Sequence, residues 1–338
     1  MKKLIVILYF LLITVFSIGP SNEKIVKVSE YIELGGTSQW IMARGTDSSN
    51  PILLFLHGGP GFPESPFAYY DSKEIEKHFI VVNWDQRGCG KSACPELPLE
   101  SINMDQILID AKELIEYLKV RFGKQKIYLI GHSWGSILGI NLIQKYHEDF
   151  YAYIGMGQVI SMAEGEVASY NYALNRAIDA NDTTALEQLK SLGPPPYNNY
   201  DQIKTQRAIL SKFGGAFKSI TYGDIIKIMM ASPDYSSEDK KSFMESFMKI
   251  QNLLWPDVMK VDFSNTFLRY QIPIYFFLGK YDHGCPFELV EEYFAKIDAP
   301  YKEIIWFDNS GHWPNIEEPY QYQKALIEIV TKNNTRSR

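Results

Sequence analysis

The segment Gly131-His132-Ser133-Trp134-Gly135 places a serine between two glycines. The apolar run at 127–130 before it is typical of a buried strand, and residues 134–146 after it have the spacing of a helix. Small residues on both sides permit the sharp strand-to-helix turn that exposes a nucleophilic hydroxyl above a sheet. The N-terminus of the following helix then points at the atom under attack. The pattern predicts that Ser133 is a nucleophile.

A serine hydroxyl needs a general base, and in a strand–serine–helix arrangement an acid and then a histidine follow along the chain. Asp282 follows the apolar run 272–278, and His312 follows the strand-like run 303–307. Functional side chains of parallel sheets gather at the carboxyl ends of the strands. We therefore predict that His312 is the base and that Asp282 orients it.

Two alternatives to these assignments are present in the same loops. Asp308 is the fallback acid, because it shares the loop of His312. His283 is adjacent to Asp282 and can hardly be both the base and the neighbour of its own orienting acid. We expect His283 to be a histidine of the loop without a catalytic role.

Acyl transfer also needs hydrogen-bond donors for a developing oxyanion. The segment His57-Gly58-Gly59-Pro60-Gly61 follows the apolar run 52–56, and its glycines allow the backbone to approach a substrate closely. We predict that the N–H groups of Gly58 and Gly59, with that of Trp134, form the oxyanion hole. The alternative is a simple turn, and His57 itself is expected to form structural hydrogen bonds.

The residues Gly90-Lys91-Ser92 match the last three positions of a phosphate-binding loop. The pattern G-x-x-x-x-G-K-[ST] needs a glycine where this chain has Asp85, and a carboxylate there would repel phosphate. We therefore expect no nucleotide and no other cofactor.

Cysteine and histidine spacing indicates no metal site, because paired C-x-x-C or H-x-x-x-H groups are missing. Cys89 and Cys94 could form a disulfide in an exported protein and leave Cys285 free, or all three thiols could be reduced.

Strand-like runs alternate with helical stripes from about residue 52 to 158 and again from 272 to 330, which predicts an α/β protein with a mostly parallel sheet. Residues 159–264 interrupt the alternation with helical, polar sequence. We predict a core formed by residues 23–158 and 265–335, with a helical cap at 159–264 inserted before the last strands.

The N-terminus has a different character. Lys2 and Lys3 precede the apolar run 4–18, which is short for a membrane span and typical of a secretion signal. We predict that residues 1–22 are a signal peptide or a membrane anchor, with membrane association through residues 4–18, and that the protein is secreted or membrane-anchored outside the cytoplasm.

The overall charge argues against one class of partner. The net charge is −6, and no long run of Lys or Arg is present, so we expect no nucleic acid partner. The sequence gives no indication of the oligomeric state.

Taken in order, these motifs resemble the α/β-hydrolase superfamily and, within it, the proline iminopeptidase group of serine peptidases. The matching stretches span most of the chain outside its first twenty residues and the insertion. They are His57-Gly58-Gly59-Pro60-Gly61, Asp85-Gln86-Arg87-Gly88-Cys89-Gly90-Lys91-Ser92, Gly131-His132-Ser133-Trp134-Gly135-Ser136, Gly279-Lys280-Tyr281-Asp282, and Gly311-His312-Trp313-Pro314 with Glu317-Glu318-Pro319.

The resemblance implies a Ser133–Asp282–His312 triad that releases N-terminal residues from small peptides. It also implies that the loop from Asp85 to Ser92 is structural, with Asp85 and Arg87 holding neighbouring loops. In this group the cap supplies carboxylates for the substrate's free amino group. Glu164 and Glu166, the acidic cap residues nearest the sheet in sequence, are the candidates, with solvated helix residues as the alternative.

Other functions remain open beside the peptidase. A carboxylic-ester hydrolase would use the same triad, and an apolar cap without paired acids would favour it. A non-catalytic binding protein on the same scaffold is a remote alternative, because such proteins usually lose a triad residue. In each case the partner is a small molecule or a short peptide.

Overall fold

The computed structural model describes residues 25–197 and 199–336, and of the last five residues, 334–338, no side chain is described. Its centre is a sheet of eight strands, whose continuous apolar runs are buried on both faces. The strands are β1 (Val26–Leu34), β2 (Thr37–Gly45), β3 (Ile52–Leu56), β4 (Ile80–Trp84), β5 (Ile127–His132), β6 (Phe150–Met156), β7 (Ile274–Gly279) and β8 (Lys302–Phe307).

The strand order across the sheet is β1-β2-β4-β3-β5-β6-β7-β8. Strand β2 is antiparallel to both β1 and β4, and every later pairing is parallel. The parallel strands all end at one edge, so the loops after β3, β5, β6, β7 and β8 meet there. The predicted α/β fold is confirmed.

Helices cover both faces of the sheet and fill the interval between β6 and β7. They are α1 (Ala68–Asp71), α2 (Met104–Phe122), α3 (Trp134–Lys145), α4 (Met162–Asp179), α5 (Thr183–Leu192), α6 (Tyr200–Lys212), α7 (Tyr222–Ala231), α8 (Ser237–Val258), α9 (Phe287–Lys296), α10 (Pro314–Glu317) and α11 (Pro319–Arg336). A turn at Glu318 separates α10 from α11.

Helices α4 to α8 occupy the segment that the sequence predicted as the cap. A side chain at the N-cap of each accepts a backbone N–H of the first turn and so fixes where the helix begins. These residues are Ser161, Asp182, Asn199, Thr221 and Ser236. The domain bounds 23–158, 159–264 and 265–335 stay a prediction.

In the part of the chain that the structure describes, no helix is long and apolar enough to cross a membrane. The predicted signal or anchor at residues 1–22, including the apolar run 4–18, lies outside the described residues. Export and membrane association therefore stay predictions.

Candidate active site

Ser133 stands at a strained turn between β5 and α3. Its φ is 53° and its ψ is −117°, a backbone conformation that residues other than glycine rarely adopt. A Cβ on Gly131 would lie 2.5 Å from the carbonyl oxygen of Gly135, and a Cβ on Gly135 would lie 2.0 Å from that of Leu56. Both glycines are therefore required for a turn that lifts the Ser133 hydroxyl above the sheet.

The predicted acid and the predicted base meet at the carboxyl ends of β7 and β8. Nδ1 of His312 lies 2.7 Å from Oδ2 of Asp282. Asp282 is buried, and its Oδ1 accepts the N–H groups of Gly284 at 3.0 Å and Cys285 at 2.8 Å. These contacts fix one carboxylate oxygen on the backbone and the other on the imidazole, which leaves Nε2 of His312 for a reacting proton.

The two alternatives from the sequence are placed elsewhere. Asp308 is exposed and pairs with Lys280 at 2.6 Å. His283 stacks on Tyr172 with 3.8 Å between ring centroids, and its backbone N–H donates to the carbonyl of Gly215 at 2.8 Å. His283 is therefore a structural residue of the loop, as expected.

The backbone of His312 is held from two directions. Its N–H donates to the carbonyl of Ala216 at 2.8 Å, and its carbonyl lies 3.0 Å from Nε2 of His132. The rings of His132 and His312 are 4.8 Å apart. Burial, and next the neighbouring His312, lower the pKa of His132 well below its ordinary value, so His132 is neutral beside the predicted base.

Gly157, after β6, is a residue of the site that the sequence analysis missed. Its φ is 53°, and a Cβ there would lie 2.8 Å from Cε1 of His312 and 3.4 Å from Oδ2 of Asp282. Only glycine lets the chain pass this close to the acid–base pair. The signal that could have found it is its position directly after a buried strand.

The predicted oxyanion donors line the same cavity as Ser133. A Cβ on Gly58 would lie 3.2 Å from Cβ of Ser133, and one on Gly59 would lie 2.6 Å from the backbone nitrogen of Gly61. Trp134 is the first residue of α3, so its N–H has no intrahelical acceptor. The structure thus brings Gly58, Gly59 and Trp134 together beside the serine.

A buried hydrogen-bond network supports this side of the site. Nε1 of Trp134 donates to Oε1 of Gln86 at 2.9 Å, and the N–H of Gln86 donates to Nε2 of His57 at 3.2 Å. Burial lowers the pKa of His57 to about 4. His57 is therefore a neutral structural residue, as predicted.

The loop from Asp85 to Ser92 holds neighbouring segments together, which confirms its expected structural role. Asp85 accepts hydrogen bonds from Ser65, Tyr235 and the N–H of Lys91. Burial raises the pKa of Asp85 to about 6. A Cβ on Gly90 would lie 2.4 Å from Oδ2 of Asp85.

Arg87 continues this network on the other side of the loop. It pairs through Nε with Oδ2 of Asp110 at 2.6 Å, and it also donates to the carbonyls of Leu34 and Gly35. Both faces of the loop are therefore engaged in hydrogen bonds with neighbouring segments.

The three cysteines are free thiols in the structure, so the alternative of a Cys89–Cys94 disulfide is not realised. Cys285 lines the cavity, and burial, the largest influence, raises the pKa of its thiol. Among the described residues, no group of three or more His, Cys, Asp and Glu side chains is placed to hold a metal ion.

Ser133 and His312 open into a cavity of about 440 Å³ between the sheet edge and helices α4 and α6 to α8. Most of its wall is apolar or aromatic. The wall includes Phe62, Ile137, Val159, Met162, Ile203, Phe217, Ile225, Phe247, Val258 and Trp313.

The two candidate carboxylates for an amino-group site need correction. Glu164 is exposed on α4 and does not line this cavity, because it lies on the solvent side of that helix. Glu166 is buried beside a separate recess of about 20 Å³, and both its oxygens are bonded to the guanidinium of Arg207. The one acid is solvated and the other is neutralised by a cation of α6, so neither presents free negative charge to a substrate.

A family model for the alpha/beta hydrolase fold matches residues 51–319 of the chain. A probable aminopeptidase of Bacillus subtilis (strain 168) is 30% identical over 308 residues, which cover 90% of this chain and 96% of that protein. A proline iminopeptidase of Clostridioides difficile (strain 630) is 26% identical over 309 residues, which cover 87% and 94%.

Solved structures give the same picture of the fold. A proline iminopeptidase-related protein from Thermus thermophilus matches with a TM-score of 0.63 at 17% identity, over 90% of this chain and 98% of the other. An esterase from Exiguobacterium antarcticum matches with a TM-score of 0.59 at 17% identity, over 90% and 100%. At such identities these likenesses show the fold alone.

Proposed function

Because this chain belongs to the α/β-hydrolase family, we propose that it is a serine hydrolase with Ser133 as nucleophile, His312 as general base and Asp282 as its orienting acid. The observation that supports this assignment is the 2.7 Å contact from His312 Nδ1 to Asp282, beside a cavity that also contains Ser133. The resemblance to proline iminopeptidases agrees with the relatives that the chain matches.

In the proposed reaction, Nε2 of His312 takes the proton of the Ser133 hydroxyl while Oγ bonds to the substrate carbonyl carbon. The N–H groups of Gly58, Gly59 and Trp134 stabilise the oxyanion that forms. His312 then gives its proton to the departing amine or alcohol, and an acyl-serine remains. A water, deprotonated by His312, attacks this ester, which releases the acid and restores the Ser133 hydroxyl.

For the substrate, we propose a small peptide or aminoacyl compound cleaved after its N-terminal residue. The support is the full-length similarity to a probable aminopeptidase and to a proline iminopeptidase. The cavity volume of about 440 Å³ suits a few residues and not a folded protein.

A carboxylic-ester hydrolase is the second candidate, and the cavity wall favours it. A free α-ammonium group needs an anionic partner when it leaves water. Glu166 is the buried acid of α4 near the cavity, and the ion pair with Arg207 already compensates its charge. An uncharged acyl ester needs no such partner.

Two measurements test these proposals. A fluorophosphonate probe should label the wild-type protein and fail to label Ser133→Ala, whereas an unlabelled wild type would contradict the hydrolase and favour a binding protein. Alanyl and prolyl anilides, their N-acetylated forms and short acyl p-nitrophenyl esters then separate the two substrate classes. Cleavage of the free-amine anilides supports the peptidase, and cleavage of the esters alone supports the esterase.

A further inference from the structure

Two residues of helix α8 that line the cavity each carry a buried polar atom without a hydrogen-bond partner among the described residues. Oε1 of Gln251 and Nε1 of Trp255 are buried and lack a hydrogen-bond acceptor or donor among the described residues. Gln251 is 3% exposed and Trp255 is 5% exposed, and both line the cavity that contains Ser133. A buried polar group without a partner is costly, and native proteins keep such groups chiefly where they have a use.

The two atoms are complementary in kind and ordered along one helix face. Gln251 and Trp255 are four positions apart in sequence, so they lie about one turn apart on the same side of α8. The indole N–H of Trp255 is a donor only, and Oε1 of Gln251 is an acceptor only. A ligand that matches both must offer one acceptor and one donor, which is the hydrogen-bonding pattern of a secondary amide.

The position of this pair is fixed before any ligand arrives. Oγ of Ser246 accepts the N–H of Gly90 at 3.3 Å, and Oγ of Ser242 donates to the carbonyl of Gly90 at 3.2 Å. Helix α8 is thereby anchored to the loop from Asp85 to Ser92. An anchored donor and acceptor lose little freedom when they bind a ligand, which increases their selectivity.

The surroundings disfavour a cationic partner, because Lys204 and Arg207 line the same cavity. The neighbours on the same helix that line the cavity include Phe247 and Val258, both apolar. The buried carboxylate of Glu166 is already paired with Arg207. In a wall of this kind a neutral amide forms strong hydrogen bonds, whereas an ammonium group would lose its hydration without gaining a counter-charge.

We propose that Gln251 and Trp255 form a subsite for a second, non-scissile amide of the substrate. Trp255 donates to its carbonyl oxygen, and Gln251 accepts its N–H. The inference rests on the proposed hydrolase function and adds a substrate class to it. That class contains short peptides with an amide beyond the cleaved bond and N-acylated amino-acid derivatives with an amide before it.

The test compares substrates in which only the second amide changes. One arm uses N-acetylalanine p-nitrophenyl ester and O-acetyl-lactate p-nitrophenyl ester, in which an oxygen replaces the N–H. The other arm uses trialanine and its depsipeptide with an ester in place of the second amide, followed by release of alanine. In one of the two arms, wild type should prefer the amide substrate by about 5- to 10-fold in kcat/KM. That arm shows on which side of the scissile bond the second amide binds.

Variants then assign that preference to the two side chains. Gln251→Met keeps the shape without the acceptor and should abolish the preference for N–H over oxygen, while activity on the depsi substrates changes less than about 2-fold. Trp255→Phe should lower activity on amide and depsi substrates alike by about 5- to 10-fold, because both keep the carbonyl. Asn252→Leu, on the exposed side of α8, is the matched control and should change neither.

Thermal unfolding separates a binding role from a structural one. Since Oε1 of Gln251 has no partner to lose, Gln251→Met should leave the melting temperature unchanged or raised. Equal wild-type rates on amide and depsi substrates in both arms overturn the inference, as does a Gln251→Met variant that keeps the preference. If the probe does not label wild-type Ser133, the hydrolase proposal itself fails; labelling without an amide preference rejects only the subsite.

Discussion

At the scale of single residues, burial decides which of two aspartates can serve the base. Asp282 is buried, with one oxygen on two backbone N–H groups and the other on His312. Asp308 lies in the histidine's own loop, yet it is exposed and paired with Lys280. A buried carboxylate with the hydrogen bonds of Asp282 can orient an imidazole and stabilise its charged form. A solvated carboxylate can neither orient the imidazole nor stabilise its charge.

Replacing each aspartate by its amide tests this distinction. Asp282→Asn should lower kcat by about 10³- to 10⁴-fold, because the imidazole loses the acceptor that fixes its tautomer. Asp308→Asn, the matched control, should stay within about 2-fold of wild type, since a surface ion pair contributes little. Steady-state kinetics on the best substrate of the panel, with circular dichroism as a check of folding, gives the answer. A larger loss of kcat for Asp308→Asn than for Asp282→Asn would assign the role of orienting acid to Asp308.

Gly157 and Gly123 form a second matched pair of residues. Both have a positive φ, 53° and 63°, but a Cβ on Gly157 would meet His312 whereas one on Gly123 would meet nothing within 4 Å. Alanine at Gly123 should cost about 1–2 kcal/mol of stability, and alanine at Gly157 should cost more, because its Cβ also meets His312. Gly157→Ala alone should also lower kcat, by about 100-fold, because it displaces the base. Equal kcat values for the two variants would show that His312 does not depend on Gly157.

At the scale of elements, the strands and the catalytic loops could be predicted because their signals are local. The runs that became β3, β5 and β7 are continuous and apolar, and the nucleophile turn needs glycines at fixed offsets. The cap contacts could not be predicted in this way. Glu166 meets Arg207 across 41 positions, and only the packing of α4 on α6 determines that pairing.

The same limit applies to the polar pair on α8. Gln251 and Trp255 follow an ordinary helical period, and nothing in that period tells which face of a cap helix will meet the cavity. Gly157 was equally hidden, since a single glycine after a strand is common.

The loop from Asp85 to Ser92 yields a prediction about element packing. Arg87 and Asp110 form a fully buried pair that joins this loop to α2. Arg87→Met should cost about 3–5 kcal/mol, because it leaves the Asp110 carboxylate buried without its cation. Arg87→Met combined with Asp110→Leu should recover a large part of the loss. Urea titration measures both.

The control for this prediction is an exposed ion pair. Lys77→Met breaks the contact of Lys77 with Glu74, and both side chains are 53% exposed. It should leave the urea midpoint unchanged. A double variant no more stable than Arg87→Met would contradict the account of a stranded charge.

At the scale of the whole molecule, one buried carboxyl pair links the oxyanion side of the site to the histidine side. Nδ2 of Asn315, in α10, donates to Oε1 of Glu64 at 2.6 Å and to Oδ2 of Asp71 at 2.7 Å. Burial raises the pKa of Glu64 well above its ordinary value and that of Asp71 to about 6. The folded state therefore holds protons there that the unfolded chain releases near pH 4.

A dependence of stability on pH follows from this pair. Because the folded pKa values are raised, the contribution is complete below about pH 4 and is lost as the pH rises through about 6. Glu64→Gln should flatten this decline in the free energy of unfolding, measured with urea from about pH 4 to 8. Glu187→Gln, on the exposed side of α5, should leave the decline intact. Identical profiles for wild type and Glu64→Gln would contradict the prediction.

Export is a prediction at the same scale. The first strand begins at Val26, so deletion of residues 1–22 should leave the sheet complete. The truncated protein should be soluble and as active as the full chain, whereas the full chain should be found outside the cytoplasm on cell fractionation. A truncated protein that aggregates would place the apolar run 4–18 in the folded core.

The backbone of Gly215 and Ala216 connects the segment between β6 and β7 to two loops of the candidate site. The carbonyl of Gly215 accepts the N–H of His283, which adjoins the acid, and the carbonyl of Ala216 accepts the N–H of His312, the base. The backbone at 215–216 is therefore hydrogen bonded to both loops that carry the candidate acid and base. We expect a displacement of this backbone to disturb the contact between Asp282 and His312, even though neither side chain touches it.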